Sequence, residues 1–111
     1  MKIDLHVHAK ERSDCAIDGE EEIIRAAIAY GLGGLAFTDH QRLVPPERLA
    51  ELNRRYAPFR VFGGIEITLL DGEDMLVLGV HDRELEARDW NYQDLFGFVR
   101  EQNGFLALAH P

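Results

Sequence analysis

The sequence predicts an α/β fold with a mainly parallel sheet, and three observations support this class. Strand and helix signals alternate along the chain, as they do in βα units. Short apolar runs are typical of strands that are buried on both faces of a parallel sheet. All five histidines lie at or just beyond the C-terminal end of a predicted strand, which is the edge where α/β proteins build their sites. A length of 111 residues suits one domain, over residues 1–111.

The first half of the chain contains three predicted strands and two helices. Period-2 alternation predicts a strand over residues 2–8. Glu20-Glu21-Glu22 opens a helix that ends at Gly31, and three acidic residues in its first turn suit the positive end of the helix dipole. The apolar face of this helix is predicted to consist of Ile24, Ala27 and Ile28. The later elements of this half are a buried strand at 34–38, a helix between Pro46 and Pro58, and a third strand at 59–66.

The second half is predicted to contain a hairpin, a polar connection, a helix and a last strand. Asp71-Gly72 is a hairpin turn signal between two apolar runs. Asn91 is placed to cap the last helix and Gly104 to end it. The segments are 67–70 and 75–80 for the arms of the hairpin, 82–89 for the polar connection, and 105–109 for a final buried strand.

The chain is short for a closed barrel of alternating strands and helices. Such a barrel needs roughly 200 residues or more, about twice the present length. We therefore expect the sheet to be completed either by further residues of a longer polypeptide or by a second copy of this chain, and we favour the first.

Composition and charge exclude several classes of protein. With 46% apolar and 29% charged residues, the chain has the composition of a folded soluble domain. No apolar run approaches the ~18–20 residues that cross a bilayer, so no membrane partner is expected. A net charge of −8 argues against a large nucleic-acid interface, which needs a basic stripe, and is compatible with cation binding. Cys15 is the only cysteine, and a reducing cytoplasm is the predicted compartment.

The histidines and one glutamate together predict a metal site. His6 and His8 lie two apart on a strand and share a face, where Asp4 is expected to accept the second ring N–H of a ligating histidine. Taken singly, these residues have ordinary alternatives, such as a solvated histidine or a glutamate leaving the core. The set that converges on one predicted edge is His6, His8, His40, His81, His110 and Glu66. Imidazole and carboxylate ligands suit Zn, Mn or Fe better than Mg or Ca.

Five motifs in register resemble the PHP (polymerase and histidinol phosphatase) family. They are Asp4-Leu5-His6-Val7-His8, Ser13-Asp14, Thr38-Asp39-His40, Gly64-Ile65-Glu66 and Ala109-His110-Pro111. The resemblance implies a distorted (β/α)7 TIM-like barrel, of which only the N-terminal βα units are present here. It also implies two or three divalent metal ions at the C-terminal rim of the barrel, and hydrolysis of phosphoesters.

The resemblance further implies which residues bind each ion. The implied ligands are His6, His8 and Glu66 for the first metal, Asp14 and His40 for the second, and Glu66, His81 and His110 for the third. Asp39, like Asp4, is expected to support a ligand without binding metal. Family members complete the first two positions with a late Asp-x-His pair that has no counterpart here. We therefore expect incomplete metal binding by these 111 residues alone.

The implied mechanism needs no nucleophilic side chain. Bound divalent ions lower the pKa of a water molecule towards neutrality and stabilise the charge on the phosphoryl oxygens. Lys10, Arg12 and Arg42 are predicted phosphate contacts on the same rim, with solvated loop charges as the alternative. The expected substrate is a small phosphorylated metabolite or nucleotide.

Other interpretations stay open. The main alternative is a partial or degenerate PHP domain that serves as a binding or structural module without catalysis, and the missing Asp-x-His pair is the feature that supports it. A PHP-type exonuclease is disfavoured by the acidic charge balance. A metal-dependent C–N hydrolase of the amidohydrolase type shares the His-x-His motif, but Lys2 and Lys10 are the only lysines and neither is a candidate for its lysine ligand. Cys15 is open to three roles, as a soft metal ligand, a redox-sensitive thiol or a small buried residue.

Overall fold

Strands and helices alternate through the described part of the chain. The computed structural model describes residues 2–110; Met1 and Pro111, the last residue of the Ala109-His110-Pro111 motif, lie outside it. The elements are β1 (Ile3–Val7), α1 (Glu20–Tyr30), β2 (Gly34–His40), α2 (Pro46–Tyr56), β3 (Arg60–Thr68), β4 (Asp74–Leu78), α3 (Glu84–Ala87), α4 (Tyr92–Glu101) and β5 (Phe105–Leu108). The short helix α3 lies in the segment that was expected to be a polar connection.

The five strands form one sheet in the order β1-β2-β3-β4-β5. The pairs β1–β2 and β2–β3 are parallel, whereas β3–β4 and β4–β5 are antiparallel. β4 therefore runs in the direction opposite to the other four strands of the described sheet. The predicted α/β class is confirmed, and the topology is compatible with part of a TIM-like barrel. The sheet is mixed, with two parallel and two antiparallel pairs, and not mainly parallel as expected, because β4 pairs antiparallel with both of its neighbours.

A β-bulge interrupts the pairing of β1 with β2. Asp4 pairs with Leu35 and Val7 with Phe37, so three steps along β1 match two steps along β2. Thr38 Oγ1 accepts the N–H of Val7 at 3.2 Å, beside the irregularity. Because facing residues share a face of a sheet, Asp4 and Val7 point to the same face, although an uninterrupted strand would put them on opposite faces.

The helices cover one face of the sheet, and the opposite face, called here the inner face, carries Phe62, Gly64, Glu66 and Thr68 of β3. Val61, Ile65 and Ile67 alternate with these residues and belong to the buried core on the helix side. The core beneath α1 and α2 includes Ile24, Leu35, Phe37, Leu52 and Val61. The core beneath α4 includes Ile65, Ile67, Val77, Leu85, Trp90, Leu95 and Val99. On the inner face Phe62 stays partly exposed.

Most predicted boundaries agree with the structure, and two burial predictions are wrong. Gly31 ends α1 with φ 95°, a left-handed conformation that suits glycine, and Asn91 caps α4 by accepting the N–H of Asp94 at 2.8 Å. Ile28 was expected on the apolar face of α1 but is 43% exposed. β5 was expected to be buried, yet Phe105 is 61% exposed, because β5 is an edge strand of the described sheet. Within residues 2–110, no helix combines the length and apolar character that crossing a membrane requires.

An ionic cluster joins α1 to α2. Glu21 of α1 accepts hydrogen bonds from the Tyr56 hydroxyl at 2.6 Å and from Arg55 Nη1 at 2.7 and 2.8 Å. A third donor is Arg48, whose Nη2 lies 3.2 Å away. The hydrogen bond from Tyr56, together with those from Arg55 and Arg48, lowers the pKa of Glu21 from 4.5 to about 2. Glu21 is therefore more acidic in the folded chain than in the unfolded one.

We expect Glu21→Gln to destabilise the protein in a pH-dependent way. A lowered pKa contributes stability that is present above the unfolded value of 4.5 and is lost as the pH falls through about 2. The difference in free energy of unfolding between wild type and variant should thus be constant above pH 5 and should shrink from there towards pH 2. Urea unfolding at a series of pH values measures it. Glu101→Gln, at an exposed position of α4, is the control, and an equal pH dependence for both variants would contradict the assignment.

Candidate metal centre

A buried carboxylate lies at the centre of the histidines. Glu66, on the inner face of β3, is fully buried. Its Oε1 lies 2.7 Å from Nε2 of His6 and 2.8 Å from Nε2 of His8. Both histidines come from the end of β1, two strands away from β3. The prediction that His6 and His8 share a face and meet Glu66 is confirmed by these contacts.

The second oxygen of the same carboxylate has no hydrogen-bond partner. Glu66 Oε2 is inaccessible to solvent and unpartnered among the described residues. It lies 3.6 Å from Nδ1 of His40 and 3.4 Å from Nε2 of His110. A buried polar atom without a partner costs about 1–3 kcal/mol, and such an atom among imidazoles marks a place where a cation would be bound.

The imidazole rings form a continuous group. The ring centroids of His6 and His8 are 5.1 Å apart, those of His8 and His40 are 4.5 Å apart, and those of His6 and His110 are 5.4 Å apart. The contributing segments are the ends of β1 and β2 and the residues after β5. These strands run in the same direction, so their C-terminal ends meet at one edge, as the sequence predicted for these four histidines.

Asp74 belongs to this group although the sequence analysis did not select it. It is the first residue of β4 and pairs with Thr68, two residues beyond Glu66. Its Oδ2 lies 3.8 Å from Nε2 of His110, and its backbone carbonyl accepts the N–H of Ala109 at 2.9 Å. Because β4 is antiparallel, its start and not its end reaches the edge where the site lies. The Asp71-Gly72 turn was the signal that could have identified Asp74.

His81 lies away from this group, and the expectation that it shares the same edge is wrong. The antiparallel pairing puts Leu78, at the end of β4, opposite Gly64 near the middle of β3. The chain then continues away from Glu66. The His81 ring lies beside Gly63, on the face of β3 opposite to the inner face, and a Cβ added to Gly63 would be 3.1 Å from this ring. Among the described residues, His81 belongs to none of the groups that could hold a metal ion.

The loop after β1 presents Cys15 to the histidines, and not Asp14. Asp14 is exposed in a turn and belongs to no potential metal-binding group of the described residues. The Sγ atom of Cys15 lies 3.5 Å from Nδ1 of His8. Cys15 is exposed, so among its three predicted roles that of a small buried residue is wrong.

Asp39 fixes the conformation of this loop. Its carboxylate is fully buried and accepts the N–H of Ala9 at 2.7 Å and the hydroxyl of Ser13 at 2.7 Å through Oδ1. Its Oδ2 accepts a hydrogen bond from Nε of Arg12 at 2.7 Å. Asp39 thus supports the segment that carries His8 and Cys15, as its predicted supporting role requires, although it contacts no imidazole ring directly.

Arg12 is occupied by this network, and its predicted contact with substrate phosphate has no structural support. Its side chain is only 8% exposed and forms ion pairs with Asp39 and with Glu20. Burial alone would lower the pKa of Arg12, but the hydrogen bond to Glu20 and the charge of Asp39 raise it above its ordinary value. Glu20 also accepts a hydrogen bond from Arg48 at 2.7 Å, so these charges join the loop to α1 and α2.

The remaining predicted residues lie at the periphery. Asp4 is directed away from the imidazole rings by the bulge in β1, and its Oδ1 accepts the backbone N–H of His6 at 3.0 Å. Its expected contact with a histidine ring is therefore not formed. Lys10 is exposed and lies 4.0 Å from Glu22. Arg42 is exposed, two residues beyond His40, and forms no ion pair with another described residue.

The donor set fits divalent transition metals. The groups whose ligand atoms all lie within 4.8 Å of one another are His6–Glu66–His110, His40–Glu66–Asp74 and His8–Cys15–His40. Imidazole, carboxylate and thiolate together are typical of Zn, Fe or Co sites and not of Mg or Ca sites. Glu66 is common to the first two groups, and its buried Oε2 has no hydrogen-bond partner among the described residues, so the residues present fit a metal ion.

Comparison with known proteins finds similarity to solved structures. No protein-family model and no curated protein matches the chain. The chain is similar to an amidohydrolase from Chromobacterium violaceum, solved with bound sulfate and no metal, at 28% identity and a TM-score of 0.61. The match covers 78% of this chain and 31% of that one, so the present chain spans less than a third of its neighbour's length. This likeness supports the α/β fold described above, and the ligand groups are those of a possible metal site.

Proposed function

We propose that this chain supplies the ligands of a metal-dependent hydrolase that cleaves phosphoesters of small metabolites or nucleotides. The observation that carries the proposal is the buried carboxylate of Glu66, with one oxygen unpartnered and four imidazoles around it. A folded protein tolerates such an arrangement where a cation compensates it. The fold that we propose is a PHP-type barrel, of which the described strands would form the N-terminal βα units.

Two of the ligand groups share Glu66 and would each hold an ion. His6 and His110 form one group with it, and His40 and Asp74 form the other. When bound, divalent ions of the Zn, Mn or Fe class supply an activated water and neutralise the phosphoryl oxygens. We propose one ion at each of these two groups.

The protein's own residues orient the site and attract the substrate. His8 holds Glu66 through Oε1, which fixes the carboxylate for both groups. Arg42 lies on the same edge without an ion pair to a described residue, so it is free to bind an anionic substrate group. Lys10 is a second, weaker candidate because it faces Glu22.

The proposed location is the cytoplasm. Cys15 is the only cysteine of the sequence and its thiol is exposed, which suits a reducing compartment.

Phosphoester cleavage is favoured over C–N bond cleavage by the ligand types. Amidohydrolase-type C–N hydrolases use a lysine ligand, but the only lysines here are Lys2 and Lys10, and both are exposed. C–N hydrolysis remains the second candidate because the neighbour is described as an amidohydrolase.

We expect the chain loaded with Mn²⁺ or Zn²⁺ to release phosphate from p-nitrophenyl phosphate. His6→Asn should reduce this rate by at least the ~10–100-fold that is typical of losing a residue that orients a metal ligand, because His6 itself belongs to a ligand group. The matched control is His81→Asn, which changes a histidine outside the ligand groups and should leave the rate unchanged. Metal content by mass spectrometry accompanies each rate.

Three other results would overturn the proposal in different ways. Hydrolysis of p-nitroacetanilide in place of the phosphate ester would favour the C–N hydrolase. Two bound ions without turnover of either substrate would favour a binding module, the interpretation that the missing Asp-x-His pair supports. Equal losses in His6→Asn and His81→Asn would show that the edge with Glu66 is not the metal site.

A further inference from the structure

We propose that Cys15 binds a metal ion through its thiolate, together with His8 and His40, and thereby makes part of the centre selective for thiophilic metals. This inference rests on the function proposed above and adds a ligand that the PHP resemblance does not contain. It assigns to Cys15 the position beside His40 that the resemblance gives to Asp14.

The distances match one ion bound by both Cys15 and His8. With Zn–S and Zn–N bonds of ~2.3 and ~2.0–2.1 Å, two ligand atoms on one tetrahedral ion lie about 3.5 Å apart. The Sγ of Cys15 is 3.5 Å from Nδ1 of His8. A ligand atom of His40 lies within 4.8 Å of both, so a small displacement of one ring completes the three-residue site.

His8 has one ring nitrogen directed to each side of the site. Its Nε2 lies 2.8 Å from Glu66 Oε1, and its Nδ1 faces Cys15. Metal-binding histidines commonly donate their other ring N–H to a carboxylate, which fixes the tautomer and the ring orientation. Glu66 occupies that place for His8, leaving the lone pair of Nδ1 for an ion beside Cys15.

The buried oxygen of Glu66 is an independent indication that a cation belongs beside this group. Oε2 is fully buried, has no hydrogen-bond partner among the described residues and lies 3.6 Å from Nδ1 of His40. His40 belongs both to the group that contains Cys15 and to the group formed with Glu66 and Asp74. An ion on each side of His40 would compensate the carboxylate that the protein alone leaves unpartnered.

The loop is held in the conformation that this role requires. Asp39 binds the N–H of Ala9 and the hydroxyl of Ser13, two residues before Cys15. Asp14 remains exposed and outside the ligand groups. As the sulfur–metal bond forms, the thiol proton is released to solvent. A sulfur ligand favours Zn²⁺, Co²⁺ or Fe²⁺ over Mn²⁺ and Mg²⁺.

Cobalt substitution tests the proposal without measuring catalysis. Co²⁺ bound by a thiolate shows near-ultraviolet charge-transfer absorption, which Co²⁺ bound only by nitrogen and oxygen lacks. We expect this absorption when the whole chain is titrated with Co²⁺, its loss in Cys15→Ser and its retention in Asp14→Asn, the adjacent control. Circular dichroism confirms that the variants are folded, and cobalt content is measured by mass spectrometry.

Thiol reactivity gives a second readout. The exposed Cys15 should react readily with iodoacetamide in the metal-free protein, should be protected at least tenfold by Zn²⁺, and should regain its reactivity after a chelator is added. Bound cobalt without the charge-transfer band, or with a band unchanged in Cys15→Ser, would overturn the role of Cys15 and leave the proposed hydrolase standing. Absence of any bound cobalt would overturn both.

Discussion

Replacing Glu66 with glutamine is expected to remove most of the bound metal and, in the metal-free protein, to increase stability. Glutamine has nearly the same shape, but it is uncharged and is a poor metal ligand. Loss of a residue that only orients a metal ligand lowers metal affinity about 10–100-fold. Because Glu66 is itself a member of two ligand groups, its replacement should lower the apparent metal affinity by about 100-fold or more.

The gain in stability has a separate cause. The unpartnered Oε2 of Glu66 is buried beside His40 and His110. An amide NH2 at this position can donate to an imidazole nitrogen, which relieves a penalty of about 1–3 kcal/mol. The free energy of unfolding of metal-free Glu66→Gln should therefore equal or exceed that of the metal-free wild type, and the order should reverse in saturating Zn²⁺.

Isothermal titration with Zn²⁺ and urea unfolding with and without metal measure both effects. Asp14→Asn makes the same chemical change at an exposed position and should alter neither quantity appreciably. Equal losses of metal in the two variants would show that the assignment of ligands is wrong. A metal-free Glu66→Gln that is less stable than wild type would show that the carboxylate is stabilising without a cation.

Asp39→Ala is expected to cause the largest loss of stability, about 3–5 kcal/mol, the range found when one partner of a buried ion pair is removed. The substitution removes the acceptor of three hydrogen bonds, from the backbone of Ala9 and the side chains of Arg12 and Ser13. Arg12 stays buried with Glu20 as its remaining counter-ion. The loop that carries Cys15 should lose its fixed conformation as well.

Urea unfolding gives the change in free energy, and the rate of iodoacetamide reaction at Cys15 reports the loop. Asp18→Ala is the control, because Asp18 is exposed in the same loop and surface substitutions usually change stability by less than about 0.5 kcal/mol. A loss below about 1 kcal/mol in Asp39→Ala would mean that the ion pairs around Arg12 contribute little to folding.

The sequence by itself determined the succession of elements and much of the ligand chemistry. Periodicity, glycines and prolines depend on neighbours in the chain, so Gly31, Asp71-Gly72 and Asn91 marked turns and caps that the structure confirms. The convergence of His6, His40 and Glu66 followed from the rule that parallel strands end at a common edge. For β1, β2 and β3 that rule holds, because they pair in parallel.

Only the tertiary structure decided which residues reach the site from the irregular parts of the fold. The hairpin turn at Asp71-Gly72 already implied an antiparallel β4, and the register of β4 with β3 brings Asp74 to Glu66 and carries His81 away. The bulge in β1 turns Asp4 from the imidazoles, and the hydrogen bonds of Asp39 present Cys15 instead of Asp14. The bulge and the loop conformation depend on contacts between segments far apart in the chain, and local sequence patterns do not encode the register or the loop conformation that those contacts set.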